Sequence, residues 1–168
     1  MRPTLIALIL LSVAACKDKG GDTGGSGNTD GGTFTDTDIA ESLWTEMSGY
    51  QSWGQVSGFE GVVASADGSH GPYVQIWLNT GALDTVEAAA GDTMPTGAIL
   101  VKEGYDDAAG SSLRAVTAMK KINNYNGSAG DWFWAQFDGD GNVSAAGKVS
   151  SCISCHESGQ DYVRSTTW

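Results

Sequence analysis

All 15 aromatic residues of this 168-residue chain lie after Gly32, and that asymmetry constrains the fold more than any other feature. A hydrophobic core needs large side chains, so residues 1–33 stand outside the folded unit. Residues 34–168 are long enough to bury one core as a single domain. In the excluded part, Arg2 precedes an apolar run over 5–13 that contains one serine, Ser12. This is the anatomy of a bacterial export signal, and it is shorter than the ~20 residues a spanning helix needs.

The run ends Val13-Ala14-Ala15-Cys16. Small residues before a cysteine resemble the lipobox of bacterial lipoproteins. The resemblance implies a signal peptide over 1–15 and a lipidated Cys16 as the new first residue. The competing reading is an ordinary cleavable signal with an unrelated cysteine. Residues 17–32 are almost all Gly, Asp, Thr, Ser and Asn with no large apolar side chain, so 16–33 reads as a lipidated cysteine and flexible linker. Such a tether has a root-mean-square reach of roughly 20 Å. The expected location is the bacterial cell envelope, with the chain held to a lipid bilayer through Cys16. Lys17, where aspartate would signal inner-membrane retention, points to the outer membrane.

The formal net charge is −11, and residues 34–168 hold 6 basic against 17 acidic side chains. That balance disfavours nucleic acid, whose binding needs a basic face, and suits a basic redox partner protein.

Residue patterning predicts an α+β fold, mainly an antiparallel β-sheet with a few packed helices. A helix is expected over 37–51, capped by Asp38 with Glu41, with Ile39, Leu43 and Met47 on one stripe. Strands are expected over 62–66, 73–79, 98–103 and 132–137, with 143–149 returning as a hairpin partner. A short helix is expected over 80–90. Residues 113–122 fit a strand with Leu113, Ala115, Thr117 and Met119 on one side, and a helix remains open. Asp138-Gly139-Asp140-Gly141 reads as a turn, because a calcium loop would want glutamate where Val149 stands.

The sharpest chemical signal is Cys152-Ile153-Ser154-Cys155-His156. Cys-x-x-Cys-His is the attachment sequence of c-type haem. Two cysteines three apart present their sulfurs along one edge of a helical turn, where two haem vinyl groups add as thioethers. The adjoining histidine then gives its imidazole to iron. A zinc site would need two more ligands, and the other histidine is His70, with no second Cys-x-x-Cys. A thioredoxin-like dithiol would want the motif after an early strand. The expected cofactor is therefore one covalent haem c, with Cys152 and Cys155 as thioether donors and His156 as proximal iron ligand.

Twelve residues follow His156 and none is methionine. Met47, Met94 and Met119 lie upstream, where methionine is more often core filler than ligand. An iron without a strong sixth protein ligand is expected, which suits binding or transforming small molecules. His70 is the distal candidate, although its loop composition better suits an exposed histidine. Arg114, Lys120, Lys121 and Arg164 are candidates to pair with haem propionates. Trp132, Phe133, Trp134 and Phe137 read as core and pocket wall.

Four stretches together resemble the cytochrome P-460 and cytochrome c′-beta family: His70-Gly71-Pro72-Tyr73 running into Ile76-Trp77-Leu78-Asn79, Gly97-Ala98-Ile99-Leu100-Val101-Lys102-Glu103, Gly130-Asp131-Trp132, and the motif at 152–156 with Asp161-Tyr162-Val163. They span about 44–163. The resemblance implies a mainly antiparallel β fold, a homodimer and one haem per subunit. In P-460 members a lysine at the Val-Lys-Glu position is cross-linked to the haem edge and the site oxidises hydroxylamine. The c′-beta members lack the cross-link and bind nitric oxide or carbon monoxide in an apolar distal pocket. Asp161 would brace the segment after the haem helix.

Lys102 is the residue on which these readings divide. Strand alternation places it with Ala98 and Leu100, opposite Ile99, Val101 and Glu103. Aimed into a pocket, its amine would be desolvated and nucleophilic. Alternatively its stem packs on the sheet and its head reaches water or a carboxylate. The first functional expectation is an enzyme oxidising hydroxylamine or a related small nitrogen species, with a distal carboxylate, not named by the sequence, taking protons. The second is a non-enzymatic nitric oxide or carbon monoxide binding protein. A third is a plain electron carrier with His70 or a methionine as sixth ligand.

Overall fold

The computed structural model describes residues 34–88 and 93–164. The export signal, Cys16 and linker expected over 1–33 lie outside the described residues, as do the last two positions of the helix expected over 80–90. Six strands, β1 (Val63–Ala64), β2 (Tyr73–Leu78), β3 (Ile99–Tyr105), β4 (Leu113–Lys121), β5 (Trp132–Phe137) and β6 (Val143–Gly147), form one sheet in sequence order. Every neighbouring pair is antiparallel. Helices α1 (Asp36–Glu46), α2 (Thr80–Glu87) and α3 (Ser150–His156) pack around it, which makes the fold α+β as expected. Among the described residues no helix is long and apolar enough to cross a membrane.

The ambiguous segment resolves as strand β4, paired along β3 on one side and β5 on the other. Val116 and Thr117 are β-branched and suit a pleated surface, and both neighbours are strongly strand-forming, so pairing decides what local pattern left open. Helix α1 starts at Asp36, one residue before the expected 37, but its cap lies three residues earlier than expected. Thr35, not Asp38, is the N-cap: its hydroxyl accepts from the Asp38 amide while the Asp38 carboxylate accepts from the Thr35 amide. That exchange satisfies two orphan donors at once, and Glu41 is left exposed. The helix also ends at Glu46 instead of continuing to 51. Gly49 adopts φ +78°, the left-handed conformation that reverses the chain, and Tyr50–Ser52 form a separate 3₁₀ turn.

Both faces of the sheet are covered. On the first, Ala40 and Leu43 of α1 and its C-cap Met47 pack with Tyr50 on Ile99, Val101, Val116, Phe133 and Phe137. On the second, Leu78, Leu100, Met119, Trp132 and Trp134 pack with α2, Met94 and Val163, and Cys152 and Ile153 of α3 lie against them. Because both faces are buried, Trp132-Phe133-Trp134-Ala135 is apolar at every position instead of alternating. The expected hairpin joins β5 to β6, with the Asp138 carboxylate accepting from the Asp140 and Asn142 amides in its turn.

Candidate haem-binding site

The second face carries the chemistry. Period-two alternation along β3 puts Lys102 beside Leu100 on that face, whereas Glu103 points through to the first face and accepts from the Tyr50 and Tyr105 hydroxyls. Lys102 pairs across the sheet with Ile76 of β2 and Thr117 of β4. Burial lowers the pKa of its amine from the ordinary lysine value.

His156 ends α3 and packs edge-on against Trp134, with ring centroids 4.7 Å apart. Its Nδ1 lies 2.8 Å from the carbonyl oxygen of Tyr162. A carbonyl can only accept, so Nδ1 carries the hydrogen and Nε2 carries the lone pair. Burial, with the nearby Lys102 charge, pulls the His156 pKa down to about 4, although the Tyr162 contact acts the other way.

The Tyr162 carbonyl is put there by an unusual backbone. Asp161 and Tyr162 have φ of 44° and 65°, a left-handed conformation that non-glycine residues adopt reluctantly. Asp161 is tied down on every side. Its carboxylate takes both Lys121 Nζ, at 2.6 and 2.7 Å, and the Met94 amide at 2.7 Å; its carbonyl accepts from Trp132 Nε1 at 2.7 Å. Asp161 thus braces the segment after α3, as the family resemblance implied.

His70 comes to the same place from a different part of the chain. Its ring centroid lies 6.1 Å from that of His156, with the ring planes at 87°. Burial, followed by the Lys102 and His156 charges, lowers its pKa to about 3. The loop composition suggested an exposed histidine; the structure instead half-buries it. The physical reason is Gly104 on β3, where a Cβ would collide with the His70 carbonyl oxygen. Only glycine lets this loop lie flat on the sheet.

The other basic candidates separate. Lys121 is engaged by Asp161, and Arg164 pairs with Asp67 on the His70 loop. Lys120 binds Glu46 of α1, and Arg114 pairs with Asp106 in an exposed position. Met47 is buried in the first core cluster, and Met94 and Met119 are buried in the second.

Three features were not legible in the sequence: the Thr117 hydroxyl beside His70, the Tyr162 carbonyl under His156, and the Lys121–Asp161 pair. The first needed the β3–β4 register and the second a left-handed backbone. Gly104 inside an otherwise continuous strand was the available signal for the His70 loop.

The residues present fit a haem. Cys152 and Cys155 stand three apart on α3, immediately before a histidine whose Nε2 is left with its lone pair. Leu100, Met119 and Trp134 supply an apolar wall. Among the described residues, Trp134 Nε1 is a buried donor without an acceptor, beside His156, and a haem propionate is an acceptor of the right kind. No group of three or more His, Cys, Asp or Glu among the described residues is arranged to hold a bare metal ion, and a porphyrin needs none because it brings four nitrogens of its own.

No curated protein matches the chain. The family model described as cytochrome P460 matches residues 47–165, a span that contains β1 through α3 together with His70, Lys102 and the Cys-x-x-Cys-His helix. The chain therefore belongs to the cytochrome P460 family and is a haem c cytochrome.

Proposed function

We propose that this protein is an exported, lipid-anchored cytochrome carrying one haem on Cys152 and Cys155, with His156 as proximal ligand. In this reading it oxidises hydroxylamine or a related small nitrogen species and passes electrons to a basic redox partner. The observation that carries the reading is the place of Lys102, half-buried on the α3 face with both His70 and His156 close enough to feel its charge. An amine held below its ordinary pKa is a better nucleophile, and a lysine bonded to the haem edge must first be one. When bound, the haem supplies one-electron chemistry and an iron that takes small nitrogen ligands.

The chain's own residues do the rest. Tyr162 fixes the His156 ring in one tautomer, which sets the basicity of its Nε2. Leu100, Met119 and Trp134 exclude water and strengthen the local electrostatics. His70 faces the His156 ring across the site. The nearby Asp67 is already engaged by Arg164.

Reduced protein from a host able to mature c-type haem should show the long-wavelength Soret band of a cross-linked haem. Lys102→Arg should abolish that band and, with it, hydroxylamine-dependent reduction of a soluble acceptor. An ordinary c-type reduced spectrum without turnover contradicts the reading. The apolar wall favours a second one, a nitric oxide or carbon monoxide binding protein without the cross-link. Carbon monoxide shifting an ordinary spectrum in a protein inert to hydroxylamine would support it.

The anchor rests on Val13-Ala14-Ala15-Cys16 and the linker composition, and the outer membrane on Lys17. Cys16→Ser should release the protein from the membrane fraction, and unchanged fractionation contradicts the anchor. A homodimer, implied by the family resemblance, is read by sedimentation.

A further inference from the structure

We infer that the first face of the sheet carries a second ligand site, a cavity at the C-terminal end of α1 in which Glu103 binds the ammonium head of a small organic cation with an apolar body. The site lies across the sheet from α3 and does not depend on the haem reading.

The first ground is charge. Glu103 is only 7% exposed, and the ion pairs among the described residues are Arg114–Asp106, Lys120–Glu46, Lys121–Asp161 and Arg164–Asp67. Glu103 therefore has no cationic partner among the described residues, although a buried carboxylate is ordinarily paired with one. Its hydrogen bonds come from neutral groups. The Tyr50 hydroxyl and, at 3.4 Å, the Gln51 amide donate to Oε1, and the Tyr105 hydroxyl donates to Oε2. An ionised carboxylate offers about four lone pairs, so Oε2 keeps room for a further donor.

The second ground is the space beside it. Glu103 and Gln51 line a cavity of ≈ 480 Å³, whose other walls include Trp44, Met47, Tyr50 and Leu113. That volume falls in the range of about 300–1,000 Å³ typical of small-molecule sites. Aromatic rings and a methionine sulfur are favourable neighbours for an organic cation. Leu113, 40% exposed, offers the apolar body a surface at the rim.

The third ground is that every field in the cavity has the same sign. Helix α1 ends on its wall with Met47 as C-cap and no basic residue in the last turn, so the negative end of the helix dipole adds to the carboxylate. No lysine, arginine or histidine lines the cavity. An anion is excluded by that charge. A bare divalent ion would want six or so oxygen ligands, and Glu103 is the one carboxylate on the wall. A positive head with an apolar body satisfies both the acid and the apolar walls.

The test titrates phenylethylammonium, cationic near pH 7, and uncharged 2-phenylethanol into full-length protein carrying its haem, followed by amide NMR and haem absorption. The cation should give saturable shifts at 49–51 and 113–116 and none at 150–156. The alcohol should bind roughly tenfold more weakly or worse, and Glu103→Gln should weaken the cation by the same order. Gln51→Lys, made at an exposed position beside Glu103, supplies the missing cation within the chain. It should abolish binding while the urea midpoint holds or rises, and it keeps the test decisive if Glu103→Gln fails to fold. No saturable shift at 49–51, equal affinity for the alcohol, or full binding by Gln51→Lys overturns the site. Shifts confined to 150–156 with altered haem absorption place the amine on iron and overturn it too. Protein without haem that still binds at 49–51 supports this site while contradicting the haem reading.

Discussion

Lys121 grips both carboxylate oxygens of Asp161, at 2.6 and 2.7 Å, with side-chain exposures of only 11% and 5%. The pair joins the end of β4 to the strained turn after α3, so the sheet holds the carbonyl that orients His156. Removing one partner strands a buried charge, which typically costs about 3–5 kcal/mol. Asp161→Asn should lower unfolding free energy by that order in urea titration and also shift the haem reduction potential. A change within 0.5 kcal/mol at constant potential would show that the pair does not brace the site.

Phe133 is fully buried on the α1 face, remote from the histidines. Phe133→Ala should cost about 3–5 kcal/mol through lost transfer energy and an unfilled cavity. The haem spectrum of the folded fraction should be unchanged, because the perturbation lies across the sheet. Spectral change without loss of stability would contradict the two-face architecture.

Tyr50 and Tyr105 both donate to Glu103, and burial first, then this carboxylate, raises each phenol pKa above the ordinary tyrosine range. The native state therefore holds these protons more tightly than the unfolded chain. The stabilisation is complete below the unfolded value of about 10 and is lost as pH rises beyond it. Denaturation at pH 9 and pH 11 should show wild type losing more stability than the Tyr50→Phe, Tyr105→Phe double variant. Equal losses would count against these linked protons.

Gly104 admits the His70 loop to the sheet. Gly104→Ala should displace that loop while β3 stays paired. The haem spectrum should change, with amide exchange accelerated at 68–71 and not along β4. An unchanged spectrum would mean that the close approach does not place His70.

Much of this architecture could be read from residue order. The strands at 73–79, 98–103 and 132–137 declared themselves by β-branched and aromatic residues, and alternation alone set Lys102 on the face opposite Val101. The segment at 113–122 stayed ambiguous because its partners on both sides decide its conformation. The site was legible wherever chemistry is local, as in Cys152 to His156. It was not legible where it depends on register or backbone hand: Thr117 meets His70 only through strand pairing, and the Tyr162 carbonyl reaches His156 only through two left-handed residues.

The account turns on haem bound covalently through Cys152 and Cys155, and acid–acetone extraction followed by intact-mass measurement tests this most directly. Protein matured in a competent host should keep its colour in the precipitate and weigh one haem more than the polypeptide, with both signs lost when the two cysteines are changed to serine. Colourless protein, or pigment that passes wholly into the acetone, would contradict it.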